Sequence, residues 1–375
     1  MKMKYGHIIM MAGAVLMSTA CSQGSDLSEP RGDVPVVDTR TAISFSGQQG
    51  EEQAVNQGTN RASGITRAGT PLSETATSFK VWGYKNMNFS AGNYGDLQTV
   101  FPGYIVNWNS ATSSPSNSNG WEYVAQQTGS DPEQTIKYWD WNAKAYRYFA
   151  VTGTPSYQFT EPNGPYVFTF NADASSTESI NATPYFSRLW FSTGNVDDYP
   201  DKQFGKPVQL EFLKPYARVR FLFNYTYAAE GVKLTEVSLK PSNDSKIALK
   251  GTATVTYALT GTATKETYTV TPKANPTSAE VLDAFTEEYI PEGTEKWYTV
   301  LPVLSPQNSY TMSVRVNNSD PKTAVVPAEY MTWLPGYSYT YIFKITEEGG
   351  VEIDMVQAAV TPWTELENEY AVYNW

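Results

Sequence analysis

The sequence predicts an all-β fold arranged as two β-sandwich domains in tandem. Three observations carry that expectation. The chain has 375 residues, long for one domain. Short runs with an apolar residue at every second position recur along it, separated by turn-forming clusters, the pattern of sandwiches. The composition suits pleated sheets: 41% of residues are hydrophobic and 14% aromatic, with 26 Tyr and 10 Trp, and such side chains pack well on half-buried strand faces.

The elements follow in chain order. Lys2 and Lys4 precede an apolar run from Ile8 to Met17, then Ser18-Thr19-Ala20-Cys21. This is the layout of a secretory signal, and the run is too short to span a bilayer as a stable helix. A cysteine directly after small residues resembles a bacterial lipobox, although Ser18 stands where Leu is usual and Leu16 lies two residues earlier. Residues 1–21 are therefore expected to be a lipoprotein signal ending at lipidated Cys21, whose acyl chains would tether the protein to a membrane. The other reading is an ordinary cleaved signal with a coincidental cysteine. Residues 22–40, with Gly24, Pro30, Gly32 and Pro35, read as a linker; Arg31-Gly32-Asp33 within it spells the integrin-binding tripeptide and reads as a chance triplet.

A first strand is expected over residues 41–46, with Ile43 and Phe45 on one face. A polar stretch, Gly47 to Arg67, follows. Strands are then expected at Phe79–Tyr84, Tyr146–Val151 and Tyr166–Phe170, with surface turns such as Asn109 to Gly120 between them. Beyond Lys206 the alternation is cleaner: Val208–Phe212, Val219–Tyr225, Leu234–Leu239, Ala253–Leu259, Tyr298–Leu304, Tyr310–Val316 and Tyr337–Ile345. Glu347-Glu348-Gly349-Gly350 marks a hairpin turn, after which Val351, Ile353 and Met355 resume the pattern. One helix is expected at Ser278–Glu287, capped by Ser278. The domain boundary is placed near Gly205, giving domains 41–205 and 206–363 and a tail 364–375.

Charge and missing residues exclude whole function classes. The formal net charge is −11, and no basic patch is apparent, which argues against nucleic acid. The only His is His7 and the only Cys is Cys21. The body after the leader therefore cannot run a Ser-His-Asp or Cys-His mechanism, or build a His- or Cys-ligated zinc site, and no intramolecular disulfide is possible. No enzyme activity, cofactor or metal is expected. Asp197-Asp198-Tyr199-Pro200-Asp201 lacks EF-hand spacing and reads as an acidic turn. No pair of carboxylates specifically supports a glycosidase, and no Gly-rich phosphate loop is present. Trp108, Trp121, Trp139 and Trp141 are read as packing residues, with sugar stacking as the alternative.

Taken in order, these segments resemble the fimbrillin family, the type V pilins of Bacteroidetes-type bacteria. The likeness rests on the lipoprotein leader, Ile43-Ser44-Phe45, Thr66-Arg67-Ala68, Phe79-Lys80-Val81-Trp82-Gly83-Tyr84, Tyr138-Trp139 and Tyr148-Phe149-Ala150. It continues through Val208–Phe212 into Ala217-Arg218-Val219-Arg220-Phe221, then Trp333 to Tyr341 and Val360-Thr361-Pro362-Trp363. The resemblance implies two tandem transthyretin-like sandwiches with Greek-key-type connections, in a structural or adhesive pilus subunit. It implies export as a palmitate-bearing lipoprotein to the outer membrane, then cleavage by an Arg-specific, trypsin-like protease that removes the first strand with Ile43 and Phe45. The opened groove would take the C-terminal strand of another pilus subunit. Arg67 and Arg61 are the cleavage candidates, because Arg31 and Arg40 precede the first strand; an ordinary loop arginine is the alternative. The donor candidate is the terminal segment with Tyr370, Val372, Tyr373 and Trp375, the alternative being a last strand folded within its own domain. Expected partners are self or related pilins, the protease, the membrane through the lipid, and host or bacterial receptors or glycans. Stalk, tip and anchor roles stay open, and so does a non-polymerising surface lipoprotein that binds glycans.

Overall fold

A computed structural model describes residues 40–49, 55–57, 71–89, 96–110, 114–117, 119–127, 131–160, 163–225, 233–261, 263–289, 296–317, 319–346 and 350–360. The chain divides into Met1–Thr39, wholly outside the described residues, and Arg40–Trp375.

The described chain is nearly all β. The strands of its first half are β1 (Phe45–Gln49), β2 (Val55–Gln57), β3 (Ser78–Asn86), β4 (Leu97–Trp108), β5 (Trp121–Glu122), β6 (Ala145–Val151), β7 (Ser156–Phe159), β8 (Tyr166–Asp173), β9 (Phe186–Ser187) and β10 (Trp190–Ser192), with one helix, α1 (Thr177–Ala182). Then follow β11 (Val208–Leu213), β12 (Ala217–Tyr225), β13 (Leu234–Pro241), β14 (Ile247–Ala248), β15 (Lys250–Tyr257), β16 (Thr267–Pro272), β17 (Val281–Leu282), β18 (Phe285–Tyr289), β19 (Tyr298–Val300), β20 (Tyr310–Val316), β21 (Lys322–Val326), β22 (Tyr337–Ile345) and β23 (Val351–Val360).

The first core lies between an eight-stranded sheet, β10-β6-β3-β4-β5-β1-β11-β9, and a four-stranded sheet, β16-β15-β8-β7. A further pairing of β6 with β9 closes the larger sheet into a barrel-like ring. Aromatic contacts join the layers: Phe149 stacks on Tyr257 at 4.3 Å, and Trp82 meets Phe168 edge-on at 5.2 Å. The second core lies between β19-β12-β22-β23-β2 and β18-β13-β20-β21, with Phe285 against Tyr298 at 4.9 Å and Tyr310 against Trp333 at 5.8 Å. Alternation explains both: along β20 the residues Tyr310, Met312, Val314 and Val316 are buried and those between them are not, as a two-residue period requires.

Gly205 lies between β10 and β11, and among the described residues four strand pairings cross it. β11 pairs with β1 and β9, β15 pairs with β8 along its whole length, and β2 pairs with β23. The chain passes from β11 to β12 through Lys214-Pro215-Tyr216. There the Lys214 ammonium donates to the Ile180 and Asn181 carbonyls at the end of α1 (3.0 and 3.1 Å) and to that of Thr183, and lies 4.2 Å from the Tyr185 ring. Burial pushes its pKa down to about 7, while the carbonyls and the ring face favour its charged form. Gly336 completes the junction. Its N–H donates to the Tyr216 carbonyl at 2.6 Å, its φ is +79°, and an added Cβ would lie 2.6 Å from Leu213, so only glycine fits without strain.

Two expectations are corrected here. The helix expected at Ser278–Glu287 is a single 3-10 turn, Ser278–Glu280, with Thr277 and Glu280 forming a capping box. Beyond it the chain is extended because Phe285 is fully buried in the second core and β18 pairs with β13; tertiary pairing overrides local propensity. The helix that does form, α1, is capped by Ser176, whose side chain accepts from the Ser179 N–H. The first strand, expected over 41–46, runs Phe45–Gln49. Residues 41–43 pair instead with residues 137–139: Ile43 N–H to Lys137 O at 2.8 Å and Trp139 N–H to Thr41 O at 3.0 Å.

Candidate functional site: the first strand and its groove

β1 has partners on both sides. On one side Phe45 pairs antiparallel with Trp121 of β5. On the other, β1 runs parallel to β11, from Phe45 opposite Val208 to Gln49 opposite Phe212, and the Val208 N–H donates to Ser44 O at 2.8 Å. A segment from the start of the described chain is therefore an interior stave of the ring. Its polar run Gly47-Gln48-Gln49 stays in the sheet because main-chain pairing does not depend on side-chain polarity, and because the Gln49 amide donates to Thr75 Oγ1 at 2.9 Å.

The groove that holds it is aromatic. Ile43 and Phe45 are fully buried. Four rings surround Phe45, all edge-on: Phe101 at 5.1 Å, Tyr123 and Tyr148 at 5.9 Å, and Phe79 at 6.3 Å. Tyr123 ties the entry of the strand down. Its hydroxyl donates to Ile43 O at 2.9 Å and accepts from the Lys137 N–H at 3.0 Å. Burial holds the Tyr148 and Tyr123 phenols well above the ordinary range, so both stay neutral. Gly47 lets Leu72 approach closely, since an added Cβ would sit 3.1 Å from Leu72 Cδ2.

The chain leaves β1 and returns to it. Between the two visits it forms β2, whose Val55, Asn56 and Gln57 pair with Ala358, Gln357 and Val356 at the edge of the second core's five-stranded sheet. It is back at Pro71, which bridges Gln48, and Leu72 is fully buried against β1. Arg61 and Arg67 fall between these points in sequence but outside the described residues. The same holds for Cys21, Tyr370, Val372, Tyr373 and Trp375. Ile43 and Phe45 are the predicted site residues that the structure describes.

Glu122 braces the neighbouring strand. Its carboxylate accepts from Ser114 Oγ (2.6 Å), Ser116 Oγ (2.8 Å) and the N–H groups of Tyr123 and Val124 (both 2.8 Å). Burial raises its pKa, but these donors outweigh that and leave it below the ordinary value. A folded-state pKa below the unfolded one stabilises the protein above the unfolded value, and that stabilisation is lost as pH falls through the folded value. Glu122→Gln is therefore expected to lower stability near neutral pH by about 1–3 kcal/mol, with the gap closing in acid. Urea unfolding at several pH values checks this; a gap independent of pH would contradict it.

Sequence reasoning missed Leu72, Tyr123 and the role of β11 as a parallel partner. Pro71-Leu72 after a polar stretch was a faint signal of re-entry, whereas Tyr123 carried none. Of the tryptophans, Trp121 and Trp139 are buried, while Trp108 and Trp141 are 38% and 62% exposed. Among the described residues, no group of three His, Cys, Asp or Glu side chains is placed to hold a metal ion, and no helix is long and apolar enough to cross a membrane.

No protein-family model matches the sequence, and no curated protein does. Solved structures of Bacteroidales cell-adhesion and fimbrial proteins are similar to it. A proposed cell adhesion protein of Bacteroides ovatus is 16% identical, covering 86% of this chain and 98% of that one, with a TM-score of 0.37. A fimbrial protein of Bacteroides vulgatus is 12% identical, covering 76% and 93%, with a TM-score of 0.34. A fimbrial assembly protein of Parabacteroides distasonis is 9% identical, covering 75% and 92%, with a TM-score of 0.26.

Proposed function

We propose that this chain is a fimbrillin-like structural and adhesive subunit of a cell-surface pilus. It is exported to the outer membrane as a lipoprotein anchored at Cys21. An Arg-specific protease cuts it after Arg67 or Arg61, and it joins its neighbours by strand exchange. Its two cores correspond to tandem transthyretin-like sandwiches, and it performs no catalysis.

One observation carries this reading: β1, an interior stave paired on both sides, lies N-terminal to Arg61 and Arg67. A cut at either arginine leaves β1 held by non-covalent contacts alone. Its loss would uncover the Phe79, Phe101, Tyr123 and Tyr148 rings and strip β11 of one of its two main-chain partners. An unpaired edge beside an apolar groove is a template for an incoming strand. β2 also lies before both arginines, so the same cut severs it from the body and its departure would leave the edge of β23 unpaired.

Treatment of the precursor with an Arg-specific protease is expected to yield one discrete truncation near Arg61 or Arg67, followed by a ladder of higher-order species. Arg61→Ala/Arg67→Ala is expected to stay monomeric under the same treatment. A truncated product that never associates would sink the proposal. A second reading, a non-polymerising lipoprotein that binds glycans, draws on exposed Trp141 and Trp108; it requires a monomer with sugar affinity that Trp141→Ala abolishes.

A further inference from the structure

The four-stranded sheet of the first core ends in an open edge. β16 pairs with β15 on one side, and among the described residues no strand pairs with its other side. Natural edge strands are guarded by charge, shortness or a bulge, because their free N–H and C=O groups invite another chain. Among the described residues, the other edge strands of five residues or more carry charge: β18 has Glu287 and Glu288, and β21 has Lys322. β16 is six residues long, runs in unbroken register with β15, and has none.

The direction of its main-chain groups follows from one bond. The Lys273 N–H donates to Lys250 O at 2.9 Å, one rung past the Gly251–Pro272 pair. Opposed residues in an antiparallel ladder alternate between bonded and non-bonded pairs. Thr271, Thr269 and Thr267 therefore turn their main-chain groups to β15, while Val270 and Tyr268 turn theirs to the open edge. The side chains alternate as well: the three threonines are exposed, and Tyr268 and Val270 are half-buried. Tyr268 is held in place, its ring stacked on Phe186 at 5.7 Å and its hydroxyl donating to Pro215 O at 3.2 Å.

This strand is complementary to itself. A twofold axis at Thr269 places Tyr268 opposite Val270 of a second copy, and Thr267 opposite its Thr271. The outward N–H and C=O groups of Tyr268 then meet those of Val270. Aromatic–β-branched pairs line the inner face and threonine pairs the outer one, both of them favourable cross-strand pairs. No charge enters these rungs, so two chains of net charge −11 meet there without like charges opposed. The nearest like pair, Lys265 with Lys273, lies beyond the strand ends, and Lys273 is held by Glu280 at 2.6 Å.

We propose that the β16 edge binds β16 of a second copy of this chain, antiparallel and centred on Thr269, so that β15 and β16 of both molecules form one continuous sheet. A single strand pair buries less than the about 1,200 Å² of a standard interface. The dimer is therefore weak, and gains strength where copies are held close together. It requires neither cleavage nor strand exchange, so it is tested on the full, uncleaved chain.

Cys21 is the only cysteine, so Cys21→Ser gives a cysteine-free background. In it, Thr269→Cys sets two thiols opposite each other at a non-bonded rung, about 4.5 Å between Cα atoms, within the reach of a disulfide. Air oxidation at high protein concentration is expected to yield covalent dimer at least about tenfold faster than for Thr267→Cys, whose twin lies about 13 Å away along the strand. Thr267→Cys mixed with Thr271→Cys should dimerise where neither does alone. Val270→Pro removes an N–H that faces the open edge; added to Thr269→Cys, it should leave the far-ultraviolet circular dichroism unchanged and abolish the dimer. Equal rates at all three positions overturn the proposal, as does a Thr269→Cys dimer that survives Val270→Pro.

Discussion

Phe45→Ala is expected to cost about 3–5 kcal/mol of stability. The ring is fully buried and touches four others edge-on, each pair adding to the apolar burial. Those rings belong to β3, β4 and β6 and to Tyr123 just after β5, held by main-chain pairing, so the site cannot collapse on the void. The control is Trp141→Ala, at a 62% exposed side chain, for which less than about 0.5 kcal/mol is expected. Urea titration followed by tryptophan fluorescence measures both. A Phe45→Ala cost under about 1 kcal/mol would mean that β1 fills its groove only loosely, and the groove would then offer an incoming strand little to gain. The prediction thus bears on function: the apolar contacts that hold β1 are those a replacement strand would inherit.

Deleting residues 370–375 is expected to have the largest functional effect. The uncleaved precursor should fold unchanged, because its groove is filled by its own β1. After Arg-specific cleavage the deleted chain should remain monomeric, with an open groove and no strand to offer. Mixed with cleaved full-length protein, it should terminate growing chains and shorten the ladder. Light scattering after size-exclusion chromatography reads all three states. The physical basis is that a strand entering the groove satisfies main-chain groups of β11 and buries about 25 cal/mol per Å² of apolar surface, with no covalent bond. A ladder of unchanged length from the deleted chain would show that some other segment supplies the joint.

Much of this arrangement was legible beforehand. The burial of Ile43 and Phe45 followed from their period-2 spacing, and strands such as β20 and β22 lie where alternation placed them. Other features left no local trace. Nothing in Gly47-Gln48-Gln49 announces a strand, because its pairing with β11 is a main-chain contact between segments some 160 positions apart. The expected helix at Ser278–Glu287 failed for the same kind of reason. Its capping box is real, but one capped turn is marginal, and Phe285 gains more from the second core. Likewise the pairings of β11, β15 and β2 across Gly205 follow no change in composition.

The sequence by itself determined that the body is β, which faces of most strands are buried, and that it lacks histidine and cysteine. These are properties of single residues and their immediate spacing. Only the tertiary structure decided that β1 is an interior stave and that Tyr123 and Leu72 close over it. Those facts depend on which distant backbones pair, and hydrogen bonding between main chains carries no side-chain signature.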